Sequence, residues 1–185
     1  MKFLIKVCPD PEDHGKREEL LRDCLKEFLT PAVKNSDVQG QPVISRDQKG
    51  KPYFQGDPWK QIEFSMSHSD GFWACVMGRC PLGIDIQKKR PCRYEDIAKK
   101  HFWEAEVSYV CQQGLDGFYE IWTRREALAK YTGLGFFGMF ENRPSLVTED
   151  GKLKEIVMWN QKYIRFEKLD MEDDFEGAWC REEEK

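Results

Sequence analysis

The spacing of apolar positions predicts a chain that alternates between strands and helices. Residues 2–7 have the pattern of a first strand, and residues 12–29 repeat apolar side chains with the helical period until Thr30-Pro31 ends them. A loop is expected over residues 32–42. The turn signals that follow separate five short strands, at residues 43–46, 52–54, 64–66, 72–77 and 82–87, the last two joined as a hairpin through residues 78–81.

Helical periodicity then returns before the chain ends in strands. Helices are predicted at residues 94–100, 104–111 and 118–131, the last one capped by Gly133. Three further strands are expected at residues 156–159, 163–169 and 175–180. This order of elements predicts an α+β fold, with sheets covered by helices. A short echo between residues 72–75 (FWAC) and 177–180 (GAWC) raises the possibility of two similar halves.

Composition narrows the class of protein. A chain of 185 residues with 40% hydrophobic and 34% charged residues is typical of one globular domain, or of two small packed halves, rather than of disorder. The net charge of -4 argues against a nucleic-acid partner, since it provides no general basic field. The apolar start MKFLIKV is too short for a signal segment or a membrane span, so we expect a cytoplasmic protein without a membrane partner.

The seven cysteines do not predict disulfides or a zinc site. Their number is odd, no two of them form a C-x-x-C pair, and the three histidines are scattered along the chain. Free and mostly buried thiols are therefore expected.

The predicted strand at residues 82–87 carries the first candidate chemistry. Side chains alternate along a strand, so Ile84 and Ile86 share one face while Asp85 and Gln87 share the other. Two oxygen-bearing groups then stand side by side. By this pattern alone, the more ordinary interpretation is that both face solvent.

A second acid lies on the predicted helix at residues 118–131. Trp122, Glu126 and Lys130 are four residues apart and stack along one face of that helix. The tryptophan is interpreted as a core anchor, and Glu126 with Lys130 could be an ordinary ion pair. If Glu126 instead converges with Asp85, a cation must lie between the two carboxylates to offset their repulsion.

Five segments together resemble a known family. They occur in the order seen in the 4′-phosphopantetheinyl transferases of the surfactin-synthetase type, and the match spans about residues 50–135. The segments are Gly50-Lys51-Pro52, the run FSMSHS at 64–69, GIDI at 83–86, Phe102 through Glu106, and Trp122-x-x-x-Glu126-Ala127-x-x-Lys130.

The resemblance implies a fold, a reaction and partners. The fold would be two similar α/β halves in a pseudo-two-fold arrangement, residues 1–82 and 83–185, with coenzyme A bound between them. The reaction would be Mg²⁺-dependent transfer of the 4′-phosphopantetheine of coenzyme A to a serine of an apo acyl or peptidyl carrier protein, releasing adenosine 3′,5′-bisphosphate. Two halves within one chain would allow a monomer.

The resemblance also implies the catalytic and metal-binding residues. Asp85, Gln87 and Glu126 would hold the metal, and Glu126 would assist removal of the serine proton. Lys130 would hold the pyrophosphate. Bacterial members often have a glutamate at the position of Gln87, so its amide predicts weaker metal binding than a carboxylate would give.

Further residues are implied to bind coenzyme A. Lys51 and Pro52 would lie near the adenine and the 3′-phosphate, Ser67 and His68 would contact phosphates, and Arg125 would supply a cation where the family often has lysine. Ordinary alternatives exist for Lys51 and for the serines of residues 67–69: the first is explained equally as a turn lysine, and the serines as caps of a turn. Lys16 and Arg17 could add to the 3′-phosphate site, but solvated surface charge is the favoured interpretation for them.

Two other functions fit parts of the pattern. A weakened relative would bind coenzyme A or a carrier protein without efficient transfer, as Gln87 and the short N-terminal region suggest. An unrelated Mg²⁺-dependent phosphohydrolase would use the two acids but leave the Ser-His-Ser and Gly-Lys-Pro segments without a task. The apolar residues of the segment 133–140 are interpreted either as core or as a surface for a carrier protein.

Overall fold

Three antiparallel sheets and three α-helices build the part of the chain that this computed structural model describes, residues 2–30, 41–135 and 143–183. The predicted α+β class is confirmed. The strands are β1 Leu4–Pro9, β2 Val43–Arg46, β3 Pro52–Gln55, β4 Glu63–Ser69, β5 Phe72–Gly78, β6 Leu82–Lys88, β7 Ile156–Trp159, β8 Lys162–Lys168 and β9 Phe175–Glu182; the helices are α1 His14–Leu29, α2 Tyr94–His101 and α3 Glu104–Thr132.

The first sheet has the strand order β1-β5-β4 and is covered by α1. Asp13 starts this helix, since its carboxylate accepts a hydrogen bond of 2.9 Å from the backbone amide of Lys16. The buried face of α1 is the one that the periodicity predicts, and it packs against apolar side chains of β4 and β5. The residues of α1 in this core are Leu21, Cys24, Leu25 and Phe28.

The second sheet has the order β6-β9-β8-β7 and is covered by α3. Residues 104–111 and 118–131, predicted as separate helices, are parts of this one element. Gly114 produces a kink between them because its φ of 65° and ψ of -142° are not helical. The predicted end of the helix is confirmed, since Gly133 has the left-handed conformation of a C-cap.

The two larger sheets share a connection pattern. In each of them the first strand pairs with the last, β1 with β5 and β6 with β9, and the last strand also pairs with the one before it. An apolar cluster from both sheets joins the two parts, with Ala74 and Val76 from β5 packed among Ile84 and Ile86 of β6 and Trp179 of β9. The division into halves at residue 82 stays a prediction; β6 begins there.

The predicted hairpin between β5 and β6 is wrong. β5 already bonds to β1 along one edge and to β4 along the other, so it has no free edge for β6. β6 pairs with β9, which lies almost a hundred residues later. The turn at residues 78–81 therefore carries the chain from one sheet to the other.

Several sequence predictions concern thiols, membranes and loops. No disulfide joins any of the seven cysteines, all of which lie within the described ranges; Cys24, Cys75 and Cys180 are buried while Cys92 and Cys111 are exposed. No helix within the described ranges combines the length and apolar character that a membrane span requires. Most of the predicted loop at 32–42, and residues 136–140 of the predicted apolar segment, lie outside the described residues.

Candidate active site

A cavity of about 410 Å³ opens between α1, the β2–β3 hairpin, β4 and the C-terminal turn of α3. Both halves of the chain contribute to its wall, and cationic side chains dominate the charged groups there. Glu18 and Glu126 are the two acids among the described residues that line it. The cations are Arg17, Arg46, Lys49, Lys51 and Lys130, with His14 and His68 beside them.

The close packing of α3 on β6 brings the acidic and basic side chains of these two elements together at this wall. A Cβ atom built on Gly83 would lie 1.9 Å from the carbonyl oxygen of Ala127, so only glycine allows the helix to approach the strand this closely. Asp85 follows two residues later and is 2% exposed, which makes the interpretation of a solvent-facing strand wrong. Its buried carboxylate points toward α3 and contacts Lys130.

Three protein donors surround the carboxylate of Asp85. The Nζ of Lys130 donates to Oδ1 at 2.8 Å, the Oγ of Ser67 donates to the same oxygen at 2.7 Å, and the Nε2 of Gln87 lies 3.3 Å from Oδ2. Lys130 also donates to the carbonyl oxygen of Ile84 at 2.9 Å. A buried carboxylate needs such partners, because an isolated charge at this depth would be strongly destabilising.

Glu126 differs from Asp85 in lacking these partners. Among the described residues, none donates a hydrogen bond to its carboxylate. Burial, followed by the nearby negative charge of Asp85, raises the pKa of Glu126 to about 7, against a smaller opposing effect of Lys130. The two acids are therefore close enough in space for their charges to interact. The ion pair expected within the helix is replaced by one between Lys130 and Asp85.

The donor set suits a hard divalent cation. Mg²⁺ accepts carboxylate and amide oxygens as ligands, and Asp85, Glu126 and Gln87 provide them. The ammonium group of Lys130 shows that a cation already contacts the carboxylate of Asp85. Within the described ranges, no group of three histidine, cysteine or acidic side chains could hold a metal ion. This absence is compatible with the predicted metal site, because only two of its three predicted ligands, Asp85 and Glu126, are acids, while the third is the amide of Gln87.

Alternate serines of β4 hold that strand against β6. Ser65 Oγ accepts from the amide of Ile84 at 3.2 Å, Ser67 Oγ donates to Asp85, and Ser69 Oγ accepts from the amide of Lys88 at 3.0 Å. Ser67 is therefore buried beside Asp85 and does not line the cavity, contrary to its expected contact with phosphates. The period-two spacing of these serines in the sequence was the signal for one shared face.

The remaining predicted cofactor residues line the cavity from the N-terminal half. His68 points away from its serine neighbours and is exposed. Pro52 is the first residue of β3, and Lys51 lies just before it, after the turn. The Nζ of Lys51 lies 3.4 Å from the carbonyl oxygen of Tyr131, at the C-terminal end of α3, where a cation is favoured. Lys51 is thus more than a turn lysine, because it links the two halves.

Sequence reasoning missed several cationic residues of this wall. Arg17 was interpreted as surface charge, yet it lines the cavity and its guanidinium is fixed by Asp10 at 2.6 Å. Arg46 and Lys49 also line it. With Lys51 they place three cations within six residues around one turn, a local charge density that could have indicated an anion site.

Arg125 lies outside the cavity, so its expected role as a cofactor ligand is not supported. Its side chain is 1% exposed and its guanidinium bonds both oxygens of Glu106, which is itself fully buried. Glu106 also accepts from the amide of Trp103 at 3.0 Å and from the amide of Leu146 at 2.8 Å. Adjacent residues of a helix point in different directions, so Arg125 anchors α3 while Glu126 faces the cavity.

Comparison with known families gives the site a context. The model of the 4′-phosphopantetheinyl transferase superfamily matches residues 81–181, which is more than half of the chain. The chain belongs to this superfamily. The matched range contains Asp85, Glu126 and Lys130, so the acidic part of the site lies within the residues that the superfamily model matches.

Individual relatives extend the similarity. The chain is 26% identical over 163 residues to the 4′-phosphopantetheinyl transferase Sfp of Bacillus subtilis strain 168, covering 82% of this chain and 71% of that protein. A second Bacillus subtilis 4′-phosphopantetheinyl transferase is 28% identical over 135 residues, which are 71% of this chain and 59% of the relative. These matches confirm the resemblance to the surfactin-synthetase type.

A third relative shows how much of such proteins the chain spans. The 4′-phosphopantetheinyl transferase gsp of Aneurinibacillus migulanus is 30% identical over 124 residues, 65% of this chain and 48% of the relative. Across the three, the matched part spans between 48% and 71% of the relatives' length.

Proposed function

We propose that this phosphopantetheinyl transferase moves the 4′-phosphopantetheine group of coenzyme A to a serine of an apo acyl or peptidyl carrier protein. The observation that carries the proposal is the pairing of two interacting acids, Asp85 and Glu126, with a cavity wall rich in cations. A site of this composition can bind a polyphosphate and offset the charge that develops when a pyrophosphate is split.

Coenzyme A matches the cavity in charge. It carries a pyrophosphate and a 3′-phosphate, and the cations Arg17, Arg46, Lys49 and Lys51 line the N-terminal side of the wall. Charge-assisted bonds from arginine and lysine are the usual means of binding such groups. We therefore assign the nucleotide phosphates to this side, with His68 nearby, and the reacting pyrophosphate to the side near Lys130 and Glu126.

The proposed reaction is an in-line displacement at the β-phosphorus. A bond forms between the serine oxygen of the carrier and this phosphorus, the bond to the bridging oxygen breaks, and adenosine 3′,5′-bisphosphate leaves. Glu126 would accept the serine proton, directly or through water. Lys130 would bind the pyrophosphate oxygens. Mg²⁺, held by Asp85 and Glu126 with the amide of Gln87, would supply further stabilisation of the developing negative charge.

The surroundings of the reaction follow from the same proposal. The acceptor is a carrier protein that presents its serine at the mouth of the cavity. We expect the enzyme to act in the cytoplasm. We also expect it to act as a monomer, because cations and acids from both halves of one chain line a single cavity.

Intact mass spectrometry of the acceptor tests this function. The protein is incubated with coenzyme A, Mg²⁺ and a panel of apo carrier proteins, and each carrier is weighed before and after. A mass gain equal to one phosphopantetheine group, dependent on Mg²⁺ and absent when the acceptor serine is replaced by alanine, supports transfer.

Two other outcomes would contradict the proposal. Binding of coenzyme A without a mass gain on any carrier would indicate the weakened relative. Cleavage of coenzyme A in the absence of a carrier would indicate the phosphohydrolase.

A further inference from the structure

Lys130 occupies an unusual position for a residue expected to bind phosphate. Its ammonium group donates to Asp85 Oδ1 and to the carbonyl oxygen of Ile84, at 2.8 and 2.9 Å. Two oxygen atoms, one of them charged, thus hold a cation on the strand that carries the predicted metal ligands. Hard cations such as Mg²⁺ use the same two types of oxygen.

The two partners of this ion pair differ in their freedom to move. The side chain of Asp85 is 3% exposed and is also bonded by Ser67, whereas the side chain of Lys130 is 30% exposed and lines the cavity. A lysine carries its charge on a flexible four-carbon stem. The ammonium can therefore leave Asp85 for the cavity, while the carboxylate stays in place.

We infer that Lys130 is a displaceable internal cation that neutralises Asp85 until a divalent cation takes its place. This inference rests on the proposed function. An ammonium group and a divalent ion repel one another, so contact of both with the single carboxylate of Asp85 is unfavourable. Binding of the metal releases Lys130 into the cavity, where the phosphates of coenzyme A are expected.

Metal binding and phosphate binding are coupled by this exchange. Phosphates that attract Lys130 expose Asp85 to the metal, and a metal on Asp85 makes Lys130 available to phosphates. Such coupling is reciprocal by thermodynamic necessity. Lys130 therefore does more than contact phosphate, because its exchange couples the binding of the metal to the binding of the phosphates.

Titration with Mn²⁺ alone, in the absence of coenzyme A, tests the exchange. The affinity of Lys130→Gln for Mn²⁺ is expected to rise about tenfold over the original protein, the scale expected when a like charge is removed at contact distance. Binding is followed by the electron paramagnetic resonance signal of free Mn²⁺. Lys130→Met, which keeps most of the stem, is expected to give the same result and replaces the glutamine variant should that one not fold.

Lys88 offers a matched control on the same strand. Its side chain is 33% exposed and bonds an aspartate, Asp70, at 2.6 Å, but it does not contact Asp85. Lys88→Gln is expected to change the Mn²⁺ affinity by less than about twofold, because only a distant screened charge is lost. An equal gain in Mn²⁺ affinity in Lys88→Gln would overturn the inference, because the gain would then come from the lower net charge of the protein and not from removal of a cation that the metal must displace.

Other results separate this inference from the proposed function. Unchanged or weaker Mn²⁺ binding in both Lys130 variants overturns the exchange, as does undetectable binding in them and in the original protein. Asp85→Asn in the Lys130→Gln background is expected to abolish the gain. Should the gain appear while no carrier protein is modified, the exchange stands and the transfer reaction fails.

Discussion

The parts of this molecule before and after residue 82, called here the N-terminal and C-terminal halves, share a connection pattern but differ in the chemistry that they bring to one cavity. In each of the two larger sheets the first strand pairs with the last, and each of these two sheets is covered by one long helix. The N-terminal half contributes mostly cations to the cavity wall, among them Arg17 and Lys51. The C-terminal half contributes the interacting acids Asp85 and Glu126 together with Lys130.

This difference agrees with the different physical requirements of attracting a polyphosphate and of holding a metal or moving a proton. Cations that attract a polyphosphate act over several ångströms, and they remain useful on exposed turns such as the one before Lys51. Groups that hold a metal or move a proton must be placed far more accurately. The groups proposed for these tasks lie on β6 and α3. Gly83 allows the two elements into close contact, and the buried pair of Arg125 and Glu106 helps to fix α3.

The comparison predicts that the largest losses of rate come from the acids of the C-terminal half. Asp85→Asn and Glu126→Gln are each expected to lower kcat for carrier modification at least ~100-fold, because each removes a charged group from the reacting centre. Asp116→Asn is the control, since Asp116 lies on the same helix and 71% of its side chain is exposed. Retention of near-normal kcat by either acid variant would contradict the assignment.

The second prediction concerns the stability of the C-terminal half. Glu106→Gln is expected to lower the free energy of unfolding by about 3 kcal/mol, because it leaves the buried guanidinium of Arg125 without its countercharge. Urea unfolding measures the change. The control is Glu104→Gln, which replaces an exposed glutamate two residues earlier on α3 and should cost less than about 0.5 kcal/mol. Equal small losses would mean that the pair does not anchor the helix.

A third prediction addresses the cations of the N-terminal half. Lys51→Ala is expected to raise KM for coenzyme A roughly tenfold with little change in kcat, since it removes one charged contact to the substrate. Lys60→Ala is the control; Lys60 is exposed, pairs with Asp57 and does not line the cavity. A loss confined to kcat would place Lys51 with the catalytic groups. It would contradict the assignment of substrate binding to the N-terminal half and catalysis to the C-terminal half.

The smallest effect is expected from the serines between the halves. Ser67→Ala should lower kcat roughly fivefold by removing the hydrogen bond that orients Asp85. Ser69→Ala removes a bond to the amide of Lys88 and should affect the free energy of unfolding while leaving kcat unchanged. Steady-state kinetics and urea unfolding of both variants test the difference, and similar kcat values in the two would exclude an orienting role for Ser67.

Local patterns in the sequence predicted most of the elements and several site residues. The strand β2 and the strand β7 have the predicted bounds, and the buried face of α1 follows the helical period. The same periodicity indicated that Asp85 and Gln87 share a face, and that Glu126 and Lys130 share another. Those residues do come together at the cavity wall and just beneath it.

Other features depended on which elements meet in space. The pairing of β5 was mistaken because hairpins are favoured between neighbouring strands, whereas both edges of β5 are taken by β1 and β4. Arg125 was assigned to phosphate because the family often has a lysine at its position, although Glu106 holds it away from the cavity. Arg17 was set aside as surface charge, since nothing in the local pattern places α1 beside the cavity.

The sequence by itself determined the α+β class, the order of strands and helices, and the two acids with their lysine. Periodicity fixes which side of its own element a residue faces, so these features can be inferred locally. Only the tertiary structure decided that Lys130 binds Asp85, that Ser67 orients the same carboxylate, and that cations of the first half line the cavity. Contacts between residues distant in sequence depend on how whole elements pack, and no local pattern encodes that packing.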